Sequence, residues 1–158
     1  MVPLKLRSGE CSALRYRTLG KSNISVSEIG FGTWGLGGTS YGSVDDNVSR
    51  DALRVAIDRG VNFFDTSDFY GAGHSETILG DVISPYRENL VITTKGGMLP
   101  HDGFDMPQDF SVHHLTRSIE NSLKRLRTSY VDVYLLHSPP TNLLNWDDIF
   151  HLLNAFRD

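Results

Sequence analysis

Three apolar stretches of this 158-residue chain each end in an ionisable side chain. Asp65 closes Val61-Asn62-Phe63-Phe64, Lys95 closes Leu90-Val91-Ile92-Thr93-Thr94, and His137 closes Val131-Asp132-Val133-Tyr134-Leu135-Leu136. Tyr70 follows Asp65 in the loop Thr66-Ser67-Asp68-Phe69-Tyr70-Gly71. A carboxylate at the end of a buried strand is costly without a cationic or hydrogen-bonding partner. A phenol, with a reference pKa near 10, exchanges protons poorly at neutral pH without help. A nearby ammonium stabilises the phenolate, and an aspartate keeps that ammonium charged and oriented. A histidine opposite can hydrogen-bond a carbonyl oxygen. Together Asp65, Tyr70, Lys95 and His137 would protonate a carbonyl oxygen as charge develops on it. The set offers no obvious nucleophile or metal cage, so the carbonyl carbon needs a separate attacking species. A hydride from a nicotinamide would serve, with Trp34 and Phe69 as an apolar wall.

Each of these residues has an ordinary structural explanation when taken singly: a strand-end cap, a solvated lysine, a core histidine, a packed ring. Their shared position at successive strand ends is what makes them informative as a set. Asp68 and His74 read as loop polar groups, and Asp132 as outward-facing or capping a neighbour. His101, His113 and His114 lack metal-ligand spacing and read as surface residues.

The elements that must position this set alternate strand and helix. Tyr16 to Val26, with the turn signal Leu19-Gly20-Lys21-Ser22-Asn23, predicts a small hairpin. Ser27 to Thr33 is the first candidate parallel strand, and a Gly-rich loop, Gly35 to Gly42, follows. Ser43 is the expected N-cap of a first helix with Val48, Ala52, Val55 and Ala56 on one face, and Gly60 suits its stop. Strands over Val61–Phe64, Leu90–Thr94 and Tyr130–Leu136 alternate with helices starting at Ser75, near Ser111, and after an Asn145 cap. Such alternation gives a parallel sheet with covered faces. Right-handed crossovers bring every strand's C-terminal end to one side, where ligands bind in open sheets and closed barrels alike.

Composition narrows the partners. A formal charge of −4 argues against nucleic acid or an anionic membrane surface. Cys11 is the only cysteine, which rules out an intrachain disulfide and suits a reducing, cytoplasmic setting. No apolar run approaches the roughly 18 residues of a membrane span. Residues 1–15 lack an apolar signal core and read as a disordered tail.

Gly30-Phe31-Gly32-Thr33-Trp34-Gly35 fits the G-x-G-x-x-G dinucleotide pattern, but two features argue for coincidence. The glycines should open a helix directly, whereas a loop separates them from Ser43. The acidic residue should also lie about 20 residues on, nearer than Asp65.

Several motifs in order resemble the aldo-keto reductase family. They are Gly30-Phe31-Gly32-Thr33-Trp34, Asn62 to Gly71 with Ser75-Glu76, Thr94-Lys95, Ser122-Leu123-Lys124-Arg125-Leu126, and Asp132-Val133-Tyr134-Leu135-Leu136-His137-Ser138-Pro139. The resemblance covers Tyr16 to the C-terminus. It implies a (β/α)8 TIM barrel, NADPH as cofactor, and reduction of aldehydes or ketones to alcohols, or the reverse sugar dehydrogenation. By the same resemblance Tyr70 is the acid/base, Asp65 and Lys95 tune it, and His137 orients the carbonyl. Thr33, Trp34 and Asp65 would then lie near the nicotinamide and its ribose. The Phe-Tyr-Gly-x-Gly-x-Ser-Glu form is closer to bacterial and plant general reductases or sugar dehydrogenases than to the mammalian aldose-reductase branch.

A barrel of this family needs about 250 residues. The expectation for this chain is therefore the N-terminal half: about four βα units after the hairpin, over residues 16–158, cut within the fourth helix. The basic residues that grip the cofactor's phosphates would belong to the other half. Open sheet edges would favour self-association, and activity would be impaired. Two other functions stay open: a Schiff-base aldolase using Lys95, and a non-catalytic binding or regulatory protein on the same scaffold.

Overall fold

The computed structural model describes residues 14–38, 42–100, 106–143 and 146–157. The disordered tail expected over residues 1–15 falls outside them as far as residue 13. Arg15 is already engaged, its carbonyl accepting from the Glu28 amide at 2.8 Å.

Strands β1 (Tyr16–Thr18) and β2 (Ser25–Ser27) form the expected antiparallel hairpin, with Gly20 at φ +55° in its turn. It docks under the main sheet. The Tyr16 hydroxyl donates to the Gly60 carbonyl at 2.6 Å, and Asn62 receives the Ser27 amide at 2.7 Å. Ser27 therefore belongs to the hairpin. The strand expected over Ser27–Thr33 shortens to β3 (Phe31–Gly32), followed by a 3-10 turn at Trp34–Gly37.

Helix α1 (Asp46–Asp58) starts later than Ser43. Its N-cap is Asp45, whose carboxylate accepts from Asn47 N at 2.7 Å and Val48 N at 3.3 Å. A carboxylate at this position satisfies two free amides and faces the positive end of the helix dipole, which a seryl hydroxyl two residues earlier cannot do. Gly60, at φ +88°, then ends the helix as expected.

The rest of the chain is β4 (Phe63–Asp65), α2 (His74–Ile83), β5 (Val91–Gly96), α3 (Val112–Leu126), β6 (Val133–Leu136) and α4 (Trp146–Arg157). The expected cap of α4, Asn145, lies outside the described residues. Asp132 is the reason β6 starts later than Tyr130. Its carboxylate accepts the Ile92 amide at 2.9 Å and the Arg87 guanidinium at 2.8 Å, so the Ile92 amide meets a side chain, while the Asp132 amide donates to the Ile92 carbonyl at 3.1 Å. Arg87 also donates to the carbonyls of Leu90 and Tyr130, both at 2.9 Å, and so ties the lower ends of β5 and β6 together.

The four strands lie side by side in chain order, β3-β4-β5-β6, all parallel. In-order parallel strands with right-handed crossovers put every helix on the same face. Accordingly α1 packs on α2, α2 on α3, and α3 on α4. A sheet covered by helices on one face only curls to bury the other, and that is half of a (β/α)8 barrel. The helix face is dry. Leu53, Phe64, Ile78, Leu79, Ile83, Ile92 and Leu126 are fully buried there, each contributing roughly 1.5–3 kcal/mol by leaving water. Phe110, Leu115 and Ile149 form a second cluster under α4.

Candidate active site

Alternation along each strand decides which side chains reach the barrel interior. Phe64 and Ile92 enter the helix-side core, and Thr94 hydrogen-bonds to α2, so these positions face outward. Asp65, Thr93 and Lys95 therefore face inward. In β6, Tyr134 meets Phe156 of α4 and Leu136 joins the α4 cluster, which turns Leu135 and His137 inward. The His137 amide donates to the Gly96 carbonyl at 2.9 Å, continuing the ladder one residue past the strand. The three ionisable strand-end residues thus converge on one mouth.

Lys95 sits inside β5 rather than after it. Its ammonium donates to Asp65 Oδ1 at 2.6 Å, to the Thr66 carbonyl at 2.9 Å and to the Tyr70 hydroxyl at 3.0 Å. An ammonium has three N–H donors, and all three are engaged. The loop bearing Tyr70 is anchored from below. The Tyr70 carbonyl accepts the Ser75 amide at 3.2 Å, and the Ser75 hydroxyl donates to the Thr33 carbonyl at 2.9 Å. Gly71, at φ +60°, packs its backbone against Gly37, and a Cβ at Gly71 would strike the Gly37 carbonyl. This close approach brings the 3-10 turn beside the tyrosine. Trp34 stacks on the Tyr70 ring with centroids 6.2 Å apart and planes tilted by 26°.

His137 completes the mouth from the opposite side. Its ring stands edge-on to Tyr70 at 5.7 Å and to Phe69 at 5.8 Å. Its Nδ1 lies 2.9 Å from Ser67 Oγ. Burial, and next the Lys95 ammonium, hold the imidazole below its usual pKa and keep it neutral near pH 7. Ser138, at φ +53°, turns the chain away immediately afterwards.

The remaining sequence candidates separate. Thr33 is fully buried, and its hydroxyl finds no hydrogen-bond partner among the described residues, while Trp34 and Asp65 are 47% and 39% exposed. Asp68 accepts from Ser118 Oγ at 2.5 Å, and His74 pairs with Asp46 at 2.9 Å. His113 is exposed and His114 half-buried beside Asp109; His101 lies outside the described residues. Among the described residues, no three histidine, cysteine or acidic side chains cluster as a metal would require. Nor is any described helix long and apolar enough to cross a membrane. Sequence reasoning missed Ser67, whose contact with His137 spans 70 residues of chain. A loop serine carries no periodicity, so only the shared inward parity of Asp65 and Ser67 could have marked it.

Comparison with known proteins agrees with this geometry. The model of the aldo/keto reductase family matches residues 28–158. The aldo-keto reductase YhdN of Bacillus subtilis is 36% identical over 133 residues, covering 80% of this chain and 38% of that protein. The uncharacterised oxidoreductase YqkF of the same organism is 34% identical over 146 residues, covering 92% and 44%. Among solved structures, the aldo-keto reductase AKR11C1 of Bacillus halodurans, in its holo form, superposes with a TM-score of 0.80 at 28% identity, over 91% of this chain and 46% of that one. The chain thus spans less than half the length of these relatives. With the in-order parallel strands, the convergent Asp65, Lys95, His137 and Tyr70, and a family match from Glu28 to Asp158, this chain belongs to the aldo/keto reductase family.

Proposed function

We propose that this chain carries the proton-transfer centre of an NADPH-dependent carbonyl reductase acting on small aldehydes or ketones in a reducing, cytoplasmic compartment. The observation that carries the reading is the Tyr70 hydroxyl 3.0 Å from an ammonium that is itself held by Asp65. Tyr70 would give its proton to the carbonyl oxygen, and the Lys95 ammonium would stabilise the phenolate left behind. Asp65 and the Thr66 carbonyl hold that ammonium fixed in direction. His137, neutral and opposite Tyr70, would take the carbonyl oxygen's second hydrogen bond. NADPH, when bound, supplies the hydride that the carbonyl carbon needs. The exposed face of Trp34 and the outer edge of Asp65 fit the nicotinamide and its ribose. Reversal of the proton path serves alcohol oxidation equally.

Lys95 argues against the Schiff-base alternative. An amine must be free and uncharged to attack a carbonyl, whereas this one spends every proton on an acceptor.

The test is carbonyl reduction followed through loss of NADPH absorbance, in the 158-residue chain and in Tyr70→Phe. The variant is expected to lose roughly 10²–10⁴-fold in kcat with unchanged circular dichroism and NADPH binding. A Tyr70→Phe variant as active as the parent would remove Tyr70 as the proton donor, and a chain that binds NADPH without consuming it, with or without Tyr70→Phe, would leave the scaffold as a binding protein. Borohydride trapping of a substrate on Lys95 would favour the aldolase instead.

A further inference from the structure

We infer that Ser67 is a positioning residue: its hydroxyl donates to Nδ1 of His137 and thereby fixes the ring as the tautomer with its N–H at Nε2. The inference deepens the carbonyl-reductase reading and rests on it only for its consequence in catalysis.

The argument starts from the hydroxyl. Ser67 is fully buried, so its single proton has few destinations. The oxygen accepts the Phe69 amide at 3.1 Å, which uses one lone pair. Two acceptors lie within reach of the proton, His137 Nδ1 at 2.9 Å and Asp68 Oδ1 at 3.2 Å. An O–H···O bond normally closes to about 2.5–3.0 Å, so the carboxylate contact is long. Asp68 is moreover drawn the other way by Ser118, whose hydroxyl donates to its second oxygen at 2.5 Å. The imidazole is the better-placed acceptor.

A neutral imidazole has one N–H and one bare nitrogen. If Nδ1 accepts from Ser67, the ring's proton must sit on Nε2. That is the only ring atom then able to donate to a carbonyl oxygen. The opposite tautomer would present a lone pair to the oxygen and repel it. The groups that bear on the ring are Lys95, Asp68 and Asp65; neither Lys95 nor Asp65 hydrogen-bonds to it among the described contacts, which leaves the choice of tautomer to Ser67.

The tautomer can be read without cofactor or substrate. Long-range nitrogen–proton NMR correlation of the 15N-labelled 158-residue chain distinguishes the two neutral forms. His137 is assigned among the six histidines by the signal that His137→Gln removes. The parent is expected to show the Nε2–H pattern, Ser67→Ala a mixture of both forms, and Ser67→Cys, a weaker donor, an intermediate position. An Nδ1–H ring in the parent overturns the inference by itself, as does an unchanged Nε2–H pattern in Ser67→Ala. In turnover, Ser67→Ala is expected to lose roughly five- to tenfold in kcat, the scale of one neutral hydrogen bond, with NADPH affinity unchanged. A Ser67-dependent tautomer together with a Tyr70→Phe variant that reduces carbonyls as fast as the parent would uphold the inference and sink the proposed function, so the two failures are told apart.

Discussion

Lys95 carries more of the site than its single charge implies, because it joins two strands and the Tyr70 loop at one nitrogen. Lys95→Met removes the charge while keeping a stem of similar length. It is expected to lower kcat by at least roughly a hundredfold, measured as NADPH consumption, and to leave Asp65 without its partner. Tyr134, also near the centre, cannot take over from Tyr70. Burial pushes its phenol up to about 12, and its hydroxyl turns to Ser118 on the helix side. His137 gives a pH signature. Its folded pKa lies below the 6.5 of the free side chain, so the unfolded chain binds the extra proton first. Stability should therefore fall as pH drops below about 6.5 toward the folded value. Melting temperatures from about pH 7.5 to 5.5 should show that slope, and His137→Gln should flatten it. Asp65, Lys95 and His137 were legible in the sequence because strand ends mark themselves by a change from apolar to ionisable, and Tyr70 because its loop leaves the first of those ends. Ser67 was not, since its partner is distant in the chain and its own loop has no period.

Between elements, Glu76 is the fastener. Its carboxylate is fully buried at the start of α2, accepting Thr94 Oγ1 of β5 at 2.6 Å and Arg125 Nε of α3 at 2.6 Å. Burial pushes this carboxyl up, while Thr94 and Arg125 oppose the rise. The clamp ties the helix that follows the Tyr70 loop to the strand that carries Lys95. Glu76→Ala would strand the Arg125 guanidinium and the Thr94 hydroxyl, and is expected to cost roughly 3 kcal/mol in urea unfolding. Close by, Gly80 of α2 lies against the α3 backbone, where a Cβ would collide with the Arg125 carbonyl. Helix positions were readable from their apolar stripes. Strand limits were less so, because Asp132 and Ser27 take side-chain bonds that end or redirect the ladder, and a local pattern holds no record of a partner 35 or 40 residues away. The Asp45 cap was missed for a related reason: several polar residues precede α1, and only backbone geometry selects among them.

Across the whole molecule, one face of the sheet is sealed by helices and the other holds Asp65, Lys95 and His137 among half-exposed apolar neighbours. Leu135 is 41% exposed on that inner face, and within the described sheet β3 and β6 each pair on one side only. Unpaired strand edges beside apolar surface invite association. The 158-residue chain is expected to show a concentration-dependent mass in sedimentation, and a monodisperse monomer at all concentrations would contradict that. The in-order topology was legible from strand–helix alternation alone; its closure into a barrel half was not, since alternation serves open sheets equally, and the resemblance to a family supplied it. The strict inward parity of Asp65, Lys95 and His137 has a consequence for how such a chain tolerates changes of length. One residue inserted within β5, ahead of Lys95, would rotate the amine out of the mouth and into the helix layer. The same insertion beyond Gly96 would leave it in place. Variation in length is therefore confined to the loops, where it can reshape what the mouth admits while Asp65, Lys95 and His137 keep their alignment.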